Sequence, residues 1–124
     1  MIRVYILTES AITRAGLEAL LSGYSEIEIA AAEGATVTAV HRGRVAFADW
    51  LRGFGLLTIV DHGNGFMSLY AHADVLYKQV GDQVEGGEAI ATAGKSGGQT
   101  EPGLYFEIRA KGAPVDPVPW LAKR

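Results

Sequence analysis

The chain has 124 residues, 16 glycines, no cysteine, three histidines and a formal net charge of −3. That length holds one domain, or at most two small fused pieces, with room for a real core. The composition excludes disulfides, thiolate metal sites and a cysteine nucleophile, and the absence of any Lys/Arg run longer than two argues against nucleic acid as a partner.

Glycine is about twice as frequent as usual, and unevenly spread. Residues 1–33 hold two glycines and a net charge of −3; residues 34–124 hold the other 14 and a net charge of zero. The chain therefore reads as two compositionally different pieces, 1–33 and 34–124.

In chain order, residues 2–7 are β-branched and aromatic and predict a buried strand. They lack the longer apolar region and the cleavage site of a signal peptide, so the chain as written is expected to stay in the cytoplasm. Thr8-Glu9-Ser10 offers N-caps, and Ile12, Ala15, Gly16, Ala19 and Leu20 recur at helical spacing, predicting a helix over 11–22. Its polar face has few cations, so its apolar face is expected to meet core rather than membrane. No run of about 20 apolar residues follows that could span a bilayer. Residues 26–30 alternate and predict a second strand, parallel to the first, giving a β-α-β opening.

After Gly34 the pattern changes. Short strands are predicted at 37–40, 44–47, 56–60, 66–71, 89–93 and 104–109, separated by glycine-rich turns such as His62-Gly63-Asn64-Gly65. The expected fold is mostly β with one helix, an α+β chain in which an antiparallel sheet or barrel follows the β-α-β fragment. A proline-stiffened tail, 115–121, is expected to pack Trp120 onto the sheet.

Several motifs of the second piece occur in a telling order: His41-Arg42-Gly43-Arg44-Val45, Asp61-His62-Gly63-Asn64-Gly65, Leu69-Tyr70-Ala71-His72, Val80-Gly81-Asp82-Gln83-Val84 and Leu104-Tyr105-Phe106-Glu107-Ile108-Arg109. Together they resemble the LytM-type zinc endopeptidase domain that cuts peptidoglycan cross-bridges. In that family an H-x-x-x-D motif and an H-x-H motif supply zinc ligands, and a further histidine assists the water. Catalytic zinc needs three protein ligands and an open position. Here the H-x-H stretch reads Gly103-Leu104-Tyr105. His41 is followed four residues on by Val45, and His62 by Phe66, so neither rebuilds H-x-x-x-D. Only His72 matches an active-site histidine of the family. The resemblance thus implies a vestigial site at His72, Gly103 and Tyr105, with no hydrolysis, no metal and no cofactor expected.

The same segments, with Ala48–Leu56 and Pro117–Leu121, resemble the EnvC-like murein hydrolase activators. These are periplasmic division proteins whose metal-free LytM domain binds N-acetylmuramoyl-L-alanine amidases. The resemblance implies that the former cleft is a partner-binding groove lined by Phe54, Leu57, Tyr70, Tyr105 and Arg109. Aromatics around an arginine are common interface anchors.

Residues 1–32 resemble the first β-α-β of a response-regulator receiver domain. That family's acidic pair is reduced here to Thr8-Glu9, and its phosphorylated aspartate falls outside the matched stretch, so phosphotransfer is not implied. The chain then reads as a recombined or designed chimera joined near residues 30–34, with weak or no native activity. Its incomplete pieces either merge into one core or pair between chains as a swapped dimer or oligomer.

Plainer readings stand beside these. Tyr70 and Tyr105 alternate with apolar neighbours and equally fit ordinary strand packing. Arg109 fits a solvated strand position, Glu107 a surface charge or a buried pair, and His41 and His62 turn positions. A residual zinc endopeptidase built on His72 with His62 or His41 is the rival enzymatic reading. A biotinyl- or lipoyl-type carrier is a weaker rival, because Lys78 and Lys95 lack the tight hairpin beside a methionine.

Overall fold

A computed structural model describes residues 2–5, 26–110 and 113–115, with side chains for 30–110. Among the described residues ten strands form one sheet: β1 (Ile2–Tyr5), β2 (Glu26–Ala30), β3 (Thr36–Thr38), β4 (Gly43–Leu51), β5 (Gly55–Gly63), β6 (Phe66–Leu76), β7 (Gln83–Val84), β8 (Ala89–Ala93), β9 (Gly103–Ala110) and β10 (Ala113–Val115). Their order is β1-β2-β9-β6-β5-β4-β7, with β10 beside β9 and β8 linking β6 to β3. The strands expected at 2–7 and 26–30 are present over 2–5 and 26–30, and they pair in parallel. The helix expected over 11–22 and the tail beyond Val115 lie outside the described residues. Every other strand pair is antiparallel, including β2 on β9, so the N-terminal strands continue the sheet of the glycine-rich piece.

Local chemistry sets the long hairpins. Gly63 pairs with Phe66 across Asn64-Gly65, both at positive φ (55° and 82°). That is a two-residue turn whose twist suits flanking strands and whose backbone Asn and Gly tolerate. At the β4–β5 turn, Phe54 N–H closes onto the Leu51 carbonyl at 2.9 Å. Gly55 there has no room for a Cβ, which would run into Ser96 and Gly97 of the β8–β9 connection. This close approach carries the Lys95–Pro102 segment against the hairpin tip.

Alternation along β5, β6 and β9 separates two apolar clusters. The larger one contains Val45, Val60, Tyr70, Ile90, Leu104, Phe106 and Ile108. The smaller lies with Leu57, Leu69 and Ala71, covered by Phe47, Phe54, Ile59 and Tyr105.

A chain of polar groups runs from the larger core, where Tyr70 and Ser68 are buried, out to half-buried His62 and exposed Arg42. Val40 N–H donates to the Tyr70 hydroxyl (3.1 Å), which lies 2.7 Å from Ser68 Oγ; Ser68 Oγ lies 2.8 Å from His62 Nε2, and His62 Nδ1 lies 2.9 Å from the Arg42 carbonyl. The two ends fix the proton order. The backbone N–H can only donate and the carbonyl can only accept. Tyr70 therefore donates to Ser68, Ser68 donates to His62 Nε2, and His62 carries its proton on Nδ1. Burial pushes the Tyr70 hydroxyl up to about 12. Burial also lowers the His62 pKa, and His41 adds to the effect, its ring 5.7 Å away; the Arg42 carbonyl and Asp61 oppose it.

Three outcomes follow from this arrangement. Tyr70→Phe strands the Val40 N–H and the Ser68 hydroxyl, and should cost about 1–3 kcal/mol in urea denaturation. Thr58 Oγ1 is, among the described residues, the one fully enclosed side-chain polar atom with no hydrogen-bond partner. Thr58→Val, which keeps the shape and removes that atom, should raise stability by about 1 kcal/mol in the same assay. Because the folded His62 is harder to protonate than the unfolded one, its contribution is full above the ordinary histidine range and is lost as pH falls through the lowered folded value. Urea midpoints should therefore fall between pH 7.5 and 5.5, and His62→Gln should flatten part of that slope.

Candidate functional site: an aromatic groove with a buried carboxylate

On the face of the smaller cluster, β6 and β9 set Ala71 opposite Tyr105, Leu69 opposite Glu107 and Met67 opposite Arg109. Glu107 is 1% exposed. A lone carboxylate there would be costly, but both oxygens are engaged: the Tyr105 hydroxyl donates to Oε2 and Arg109 Nε donates to Oε1. The Arg109 side chain remains 37% exposed, so the pair runs from the interior out to the surface. Removing either partner of such a pair typically costs about 3–5 kcal/mol, since it leaves a buried charge uncompensated. Phe54, from the hairpin tip, stands edge-on to Tyr105 with ring centroids 5.8 Å apart.

His72 reaches this face through a bulge. Thr58 pairs with Tyr70 and Leu56 with Ala73, so Ala71 and His72 together oppose Leu57. His72 takes φ = 66°, a left-handed conformation that histidine adopts more readily than most non-glycine residues. The Phe54 carbonyl accepts the His72 N–H at 2.8 Å. The Ser96 carbonyl accepts Nδ1–H at 2.8 Å. Ser96 is itself fixed, because its hydroxyl donates to the Ala73 carbonyl at 2.6 Å and accepts Leu56 N–H at 3.0 Å. The His72 ring stands edge-on to Tyr105 at 6.2 Å. Burial lowers the His72 pKa against the two backbone contacts that raise it.

Four of the five expected groove residues come together. Phe54, Tyr105 and Arg109 lie on one face, above Leu57, which is 1% exposed and forms the floor rather than the surface. Tyr70 is placed elsewhere. It packs in the larger cluster on the opposite side of the sheet, 5.4 Å from Phe106, with its hydroxyl in the polar chain. Gly103 sits at the start of β9, bridged to Gly94. Glu107, whose sequence context fits a surface charge or a buried pair, is buried in its position opposite Leu69. Ser96, which orients His72, carried no sequence signal beyond its glycine-rich loop.

These residues do not fit a zinc site. His72 is the one imidazole on this face, and the positions matching the lost ligands present glycine and a phenol engaged with Glu107. Both ring nitrogens of His62 already hold hydrogen bonds. No group of three or more His, Cys, Asp or Glu side chains among the described residues is arranged to hold a metal ion.

Comparison with known proteins agrees with this architecture. The family model "Peptidase family M23" matches residues 23–117, taking in β2 as well as the glycine-rich piece. The murein hydrolase activator EnvC of Escherichia coli is 52% identical over 95 residues, covering 77% of this chain and 23% of that protein. The murein hydrolase activator NlpD of Salmonella dublin is 40% identical over 103 residues, covering 82% of this chain and 27% of that protein. The chain thus spans about a quarter of the length of these relatives. Among solved structures, a zinc-containing peptidase from Vibrio cholerae superposes with a TM-score of 0.72 at 27% identity, covering 80% of this chain and 32% of that one. The catalytic domain of lysostaphin from Staphylococcus simulans gives 0.70 at 27% identity, covering 76% and 75%. Fold and sequence agree that the chain belongs to peptidase family M23.

Proposed function

We propose that this domain is a non-catalytic M23 unit whose groove binds and activates an N-acetylmuramoyl-L-alanine amidase. One observation carries the reading. Where the catalytic members of the family place a zinc-binding histidine, Tyr105 instead ties its hydroxyl to Glu107, which in turn holds Arg109. Coordination chemistry is replaced by an aromatic–arginine surface of the kind that anchors protein partners. The relatives named as murein hydrolase activators support the same reading. Two relatives are named as lipoproteins, which favours an envelope setting over the cytoplasmic one expected from the first residues.

The proposal includes the N-terminal segment as a receiver-like addition to the family domain. One feature supports it: the parallel β1–β2 pairing beside an otherwise antiparallel sheet. Since the family match begins at residue 23, we place the junction before β2. Such an addition alters one margin of the sheet, so activation is expected to be weaker than that by E. coli EnvC.

The test is dye release from labelled peptidoglycan by a purified E. coli amidase, with and without this protein. Stimulation is expected, and Arg109→Ala and Phe54→Ala should each reduce it about tenfold, the scale of an interface anchor. No stimulation at saturating protein overturns the reading.

A further inference from the structure

We propose that His72 Nε2 is a fixed hydrogen-bond acceptor in the groove, taking an N–H or O–H donor from a neutral amide or hydroxyl side chain of the docked partner. The inference rests on the groove being a docking surface for an amidase. It adds which residue discriminates among partners and by what chemistry.

The tautomer follows from geometry. Nδ1 lies 2.8 Å from the Ser96 carbonyl, which can only accept. Nδ1 therefore bears the proton, and Nε2 presents its lone pair. The orientation is fixed as well. Ser96 is pinned by its hydroxyl between the Ala73 carbonyl and Leu56 N–H, and the His72 backbone is pinned by the Phe54 carbonyl. The ring cannot turn over without giving up the Ser96 contact.

Among the described residues the hydrogen bond of the His72 ring is made through Nδ1, and Nε2 makes none. It is not sealed off either, for the one fully enclosed, unpartnered side-chain atom is Thr58 Oγ1. His72 as a whole is only 6% exposed, and it lies on the face where its ring leans edge-on against Tyr105 and Tyr105 against Phe54. His62 shows the contrast, since both of its nitrogens are used inside the protein. Burial keeps the His72 ring in its neutral, accepting form at neutral pH. An acceptor held so firmly rejects a partner that offers another acceptor at that point. It favours one that offers a donor, because mismatched polar groups in a desolvated groove are costly.

Two substitutions separate the acceptor from the ring. In His72→Asn the side-chain amide can still donate to the Ser96 carbonyl and tolerates positive φ, but nothing reaches the Nε2 position. In His72→Gln the amide oxygen reaches near that position and can accept. Binding to a purified E. coli N-acetylmuramoyl-L-alanine amidase is measured by calorimetry, alongside urea unfolding of each variant. The expected result is a loss of about 3–10-fold in affinity for His72→Asn, the range of one neutral hydrogen bond, and near wild-type affinity for His72→Gln. ¹⁵N spectra should show the Nδ1–H tautomer of His72 in the free protein and a shift of the Nε2 resonance on complex formation. Equal affinity of His72→Asn and the wild type overturns the role of His72 alone. So does equal loss in both variants, or an Nε2–H tautomer. A wild-type protein with no measurable affinity overturns the amidase reading, and this inference with it.

Discussion

One extra residue in β6 organises this domain. β6 pairs with β5, β8 and β9, so its side chains must serve the larger core on one side and the smaller aromatic-covered cluster on the other. Strict alternation would place His72 on the same side as Tyr70 and Ser68. The bulge opposite Leu57 breaks that alternation and turns His72 toward Tyr105. The local cost is a left-handed backbone, of order 1–2 kcal/mol. It is offset by the two backbone contacts that hold His72 and by the Ser96 hydroxyl that braces its neighbour.

The two faces solve the problem of buried polarity differently. From the larger core outward, neutral groups form hydrogen bonds ordered in one direction, from the Val40 amide through Tyr70, Ser68 and His62 to the Arg42 carbonyl. On the groove face a full charge is buried at Glu107, stabilised by a phenol on one oxygen and a guanidinium on the other. The first device favours a unique packing. The second ties the orientation of two surface side chains, Tyr105 and Arg109, to an interior anchor, which leaves them little rotamer freedom.

Much of this was legible in the sequence. The strands at 56–60, 66–71, 89–93 and 104–109 showed themselves through alternation between glycine-rich turns, and the Asn64-Gly65 turn followed from backbone tolerance. Extent was harder to read. β4 runs on to Leu51 with exposed Trp50, and the two-residue β7 and the short β10 carry too little pattern to be seen. Facing was hardest, because it depends on register between strands far apart in sequence. Tyr70 and Tyr105 look alike as strand tyrosines. Yet Tyr105 is opposite Ala71 while Tyr70 is opposite Phe106, which puts the two rings on opposite sides of the sheet. Glu107 was ambiguous for the same reason, since nothing local predicts that its cross-strand neighbour is Leu69.

The topology also dictates an order of assembly. β4, β5 and β6 are joined by tight hairpins, so their pairings are local and form early. β9 must return across some forty residues to meet β6, and β2 joins β9 from still further away in the chain. Phe54 and Leu57 belong to the early meander, whereas Tyr105, Glu107 and Arg109 arrive only with β9. That face is therefore complete only once β9 has docked on β6. A ligand that occupies it recognises only the completed chain, and by mass action draws late folding intermediates toward that state.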